Sequence, residues 1–94
     1  MDDAKRTELI RAAWGIHREV EASCLAHGAT RGDAAWPEKQ RLLLADMAIH
    51  LLQTALKPGP VELDELRKNL FSVLTISDGF LPEAGLKEVA EKLS

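Results

Sequence analysis

From Leu42 to Leu56 the chain reads Leu-Leu-Leu-Ala-Asp-Met-Ala-Ile-His-Leu-Leu-Gln-Thr-Ala-Leu. At about 100° per residue on a helix, Asp46, His50, Gln53 and Lys57 fall in one narrow polar stripe. Leu42, Leu44, Met47, Ile49, Leu51, Leu52 and their alanine neighbours cover roughly 200° of the remaining circumference. A helix this apolar needs neighbours on most sides, from its own chain or from a second copy.

Three further segments repeat at helical spacing. Leu9, Ile10, Ala13, Ile16, His17, Val20 and Cys24 form one face of a first helix over about 3–26, which Asp2 or Asp3 caps and Gly28 ends. Gly15, in mid-helix, predicts close approach of another backbone or a bulky ring. Asp33 is a candidate N-cap for the second helix, over about 34–57, with Pro37 in its first turn and Trp36 packed at its mouth. Lys57-Pro58-Gly59-Pro60 breaks the chain sharply. A third helix is expected over about 62–76, with Leu63, Leu66, Leu70, Val73 and Leu74 inward. A fourth follows over about 82–93, with Leu86, Val89, Ala90 and Leu93 inward and Phe80 and Leu81 as anchors. No segment alternates long enough to predict a strand. The expected fold is all-α, one domain over 1–94: a long helical hairpin plus two shorter helices, four-helix bundle-like and dimeric.

Composition agrees, since Ala and Leu abound and β-branched residues are few. A chain of 94 residues buries a modest core. The net charge is −3, and the whole excess lies beyond Pro58. That half repels a phosphate backbone, so no nucleic acid is expected. The single Cys24 excludes an internal disulfide. With no signal-like N-terminus and no apolar run near 20 residues, a soluble cytoplasmic protein is expected and no membrane contact. The Ala-, Arg- and Leu-rich composition points to a bacterial or phage origin.

Candidate chemistry is sparse. His17, Glu21, Cys24 and His27 follow one another along one side of helix one, and Asp46 and His50 stand one turn apart on helix two. Together they present the ligand types of a zinc or iron site. The paired Glu-x-x-His signature of di-iron bundles is missing. The simpler reading makes His17 and Cys24 border residues of an apolar face and pairs His50 with Asp46, so no metal and no cofactor is expected. Cys24 near a helix C-terminus is poorly placed as a nucleophile, and no catalytic residue is assigned. Helices three and four resemble a helix-turn-helix only loosely, because the second would be acidic.

The function expected is therefore non-enzymatic: a regulatory, adaptor or inhibitor protein working through protein contacts. The candidate dimer seam is Leu44, Met47, Leu51 and Ala55. The candidate partner surface is Trp36, Phe80, Glu83, Glu88 and Glu91. The alternative is a small ligand-binding protein or enzyme with Arg11, Arg18, Lys39 and Arg41 around one inter-helix pocket.

Overall fold

The computed structural model describes residues 1–26 and 34–94. Within them the chain is all-helical: α1 Asp3–Ala26, α2 Trp36–Leu56, α3 Leu63–Asp78 and α4 Leu86–Glu91. The expected Gly28 terminator and Asp33 N-cap, with His27, lie outside the described residues.

Local chemistry sets the helix ends. Asp2 caps α1 by accepting the Lys5 backbone N–H at 2.8 Å, which supplies one of the orphan donors of the first turn. Pro37 sits in the first turn of α2, where a missing N–H is harmless. At Lys57 the backbone turns extended (φ −53°, ψ 135°), as the residue before a proline prefers. Asp64 and Glu65 occupy the first turn of α3, where the dipole favours negative charge. That helix runs to Asp78 rather than ending at Ile76. The fourth helix is much shorter than expected. Gly85 adopts φ +71°, a left-handed conformation that interrupts the turn begun at Pro82 and delays α4 to Leu86.

Successive helices pack antiparallel, each on its sequence neighbour. Arg6 donates to the Leu56 carbonyl at 3.4 Å, tying the start of α1 to the end of α2. Thr54 donates to Asn69 between α2 and α3. The Lys87 backbone N–H donates to Asp78 at 3.3 Å, docking α4 on the end of α3. Among the described residues α1 touches neither α3 nor α4. The Cα atoms span 45 × 32 × 16 Å, so the helices form a flat layer.

A layer has little interior. Among the described residues the buried apolar ones are Ala13, Cys24 and Ala90, and no large side chain is fully buried. Leu63 is 73% exposed and Leu81 57% exposed, which corrects their expected roles as inward-facing residue and anchor. Phe80 and Val89 are also exposed. No side chain or backbone approaches within 4 Å of a Cβ built on Gly15, so the close approach expected there does not occur within the chain. No described helix is long and apolar enough to cross a membrane.

Candidate metal centre

The buried polar residues of the layer are His17 of α1 and Gln53 of α2. Both lie where the two long helices meet. The polar stripe of α2 thus turns toward α1 and the groove between α1 and α3, and His17 is an interior residue rather than a border one. The burial follows from pairing: a polar group leaves water at little cost only where another polar group meets it.

The pairing is specific. His17 Nε2 lies 3.1 Å from His50 Nε2 and 2.6 Å from Asp46 Oδ1. His50 Nε2 lies 3.5 Å from the same oxygen. Glu21 Oε2 stands 3.6 Å from His17 Nε2. His17 and Glu21 are one turn apart on α1, as are Asp46 and His50 on α2. Because the helices run in opposite directions, the two pairs place ring against ring and carboxylate beside carboxylate. Trp14 closes one side, its ring edge-on to His17 at 5.2 Å and to His50 at 6.2 Å.

Asp46 Oδ1 is buried and accepts no hydrogen bond, although a ring nitrogen stands at 2.6 Å. A buried acceptor left unmade costs about 1–3 kcal/mol, and more when charged. The two ring nitrogens are within hydrogen-bonding distance of each other, and with the carboxylate oxygen they also cluster closely enough to share one ion. A point equidistant from three atoms so spaced lies about 1.8 Å from each in their plane, so an ion at zinc–ligand distances of about 2.0–2.1 Å would stand about 1 Å out of that plane. The residues fit a divalent first-row ion. Glu21, half exposed, stands outside this cluster of three donors.

Next to the centre a groove of about 390 Å³ opens between α1 and α3 over the floor of α2. His50 belongs to both. Ile10, Trp14, Gln53, Thr54 and Lys57 also line the groove. Lys57 donates to Glu62 at 2.9 Å, and that hydrogen bond, with the Glu62 charge, raises the Lys57 pKa above its ordinary value.

The other sequence candidates fall elsewhere. Arg11, Arg18 and Arg41 are exposed and Lys39 is half-buried. Arg41 pairs with Glu38 on its own helix at 3.3 Å, and Arg18 lies along an open groove on α1 with Gly15 and Glu19. Trp36 and Phe80 both line a second groove, with Ile76 and Lys87. Glu83, Glu88 and Glu91 are exposed on and before α4. Leu44, Met47 and Leu51 are half-buried and Ala55 is exposed. Cys24 is a buried free thiol.

The sequence offered His17 with Glu21 on one helix and Asp46 with His50 on the next, each pair at i, i+4. What the spacing lacked was the register of α1 on α2, which decides whether the pairs meet. Comparison with known protein families, curated proteins and solved structures gave no match.

Proposed function

We propose that this chain binds one divalent transition-metal ion, zinc or ferrous iron by donor type, between α1 and α2. His17 Nε2, His50 Nε2 and Asp46 Oδ1 are the ligands, with Glu21 beside His17 but outside the coordination shell. Two imidazoles and a carboxylate are the donor set of open zinc and non-haem iron centres. The observation that carries the reading is the buried Asp46 oxygen, without a hydrogen bond and in reach of two ring nitrogens. An ion would satisfy all three atoms and clamp the hairpin.

The test is direct. Chelator-stripped protein is titrated with Zn²⁺, Co²⁺ and Fe²⁺ (the last without oxygen) by calorimetry, and metal is quantified in protein purified without additions. One equivalent is expected, with affinity lost in His17→Ala and His50→Ala and weakened in Glu21→Gln. Binding that survives both histidine changes, or no uptake at all, removes the proposal.

A second reading, protein contact, has its own support. Monomers of this mass expose about 5,400 Å², whereas the chain exposes 6542 Å². A standard interface covers about 800 Å² on each partner, which the excess of roughly 1,100 Å² exceeds. The matching surface is the flank of α2 opposite Asp46 and His50, where Ala48, Leu52 and Ala55 are exposed beside Leu44 and Leu51. A second copy there would leave both metal grooves facing outward. Light scattering is expected to give twice the chain mass, reduced to one chain in Leu52→Glu. A monomer at high micromolar concentration rules this pairing out.

A further inference from the structure

We propose that the groove beside the centre receives a small exogenous ligand, whose oxygen-donor head binds the ion while its apolar body lies along Ile10 and Trp14. The inference rests on the metal reading and adds what the ion is for.

The first argument is donor number. The protein supplies two ring nitrogens and one buried carboxylate, and Glu21 stands half in solvent. Three protein ligands with an exchangeable position distinguish working centres from closed structural ones. The second argument is direction. Asp46 and Glu21 occupy the end of the cluster nearer the α1–α2 connection. The opposite end is bounded by His50, whose side chain is 36% exposed and forms a groove wall. The coordination side left by the protein therefore faces open space.

The third argument is the character of the walls. A volume of about 390 Å³ lies within the range for small-molecule sites. Ile10 and the indole of Trp14 supply apolar surface, and Trp14, although its edge packs on His17 and His50, is still 43% exposed. Gln53, only 9% exposed, has an amide nitrogen without a hydrogen-bond partner, which leaves a donor for a second ligand oxygen. At the far end the charges cancel: Lys57 pairs with Glu62 at 2.9 Å and Lys68 with Glu65 at 3.8 Å. The groove thus selects for a metal-binding head and an apolar body, not for a charged tail.

The experiment uses the full chain reconstituted with Co²⁺, whose visible bands report its ligands. Acetohydroxamate and benzohydroxamate share one metal-binding head and differ in the body. Each is titrated, and cobalt retention is checked after desalting. Both are expected to shift the bands saturably with the cobalt retained. Benzohydroxamate should half-saturate at about tenfold lower concentration, because its ring is withdrawn from water against Trp14. Trp14→Ala should reduce the difference to about threefold or less, and Trp14→Phe should preserve most of it. Failure to take up cobalt defeats the metal reading itself. Cobalt that binds but ignores both hydroxamates, or is stripped by them, overturns the ligand site alone. Equal affinities for the two probes overturn its placement along Trp14.

Discussion

The Nε2 atoms of His17 and His50 lie 3.1 Å apart across the seam of α1 and α2. They converge because each histidine is one turn from a carboxylate on its own helix and the helices run oppositely. Binding between the helices must therefore appear as stability of the hairpin.

Saturating Zn²⁺ should raise the melting temperature. At a hundredfold excess over Kd the gain is about 2.7 kcal/mol, or about 10–20 °C for a domain this small. Circular dichroism with and without chelator measures it. The shift should vanish in His17→Ala, and an equal shift in that variant would count against the centre.

Asp46→Asn separates the metal from the fold. In stripped protein the change removes a carboxylate whose buried oxygen has no hydrogen bond and should leave stability within about 1 kcal/mol of the parent. Metal affinity should fall by at least about tenfold. A large loss of stripped-state stability would instead make Asp46 a structural partner of His17.

Gly15 lies in mid-α1 with open space where a Cβ would stand. Gly15→Ala should stabilise the protein by about 0.5–1 kcal/mol through helix propensity alone, read by urea unfolding. Destabilisation would reveal a second chain close to that backbone.

Gly85 is left-handed at φ +71°. Gly85→Ala should cost about 1–2 kcal/mol locally, and amide exchange should accelerate in α4 before it does in α1 or α2. Unchanged exchange at Ala90 would contradict the role given to this turn.

The Lys57–Glu62 pair sets a pH expectation. The hydrogen bond raises the Lys57 pKa from 10.5, so its favourable contribution is complete below about pH 10.5 and is lost as pH rises through the folded value. Nitrogen-detected NMR should show the midpoint falling in Glu62→Gln. The pair is fully solvated, so melting at neutral pH should barely change.

The helices themselves were legible in the sequence, since threefold and fourfold apolar spacing marks each and the prolines at 58 and 60 separate α2 from α3. The orientation of α2 was not. A helix apolar over most of its circumference offers no single greasy side, so the pattern could not say which flank meets α1. The polar stripe turned inward because His17 waits there, and partnership between two helices is invisible in either one. Leu63 misled for a related reason: its spacing matched Leu66 and Leu70, but it stands in the first turn, beyond the reach of α2. The length of α4 depended on a positive φ at Gly85, which composition does not disclose.

Because every helix rests only on the one before or after it in sequence, the long-range entropy cost of folding stays small. Such low contact order predicts rapid folding, with opening free energies graded along the chain rather than shared by one cooperative whole. The six residues of α4 should fray first, and the hairpin should persist longest once its imidazoles are bridged.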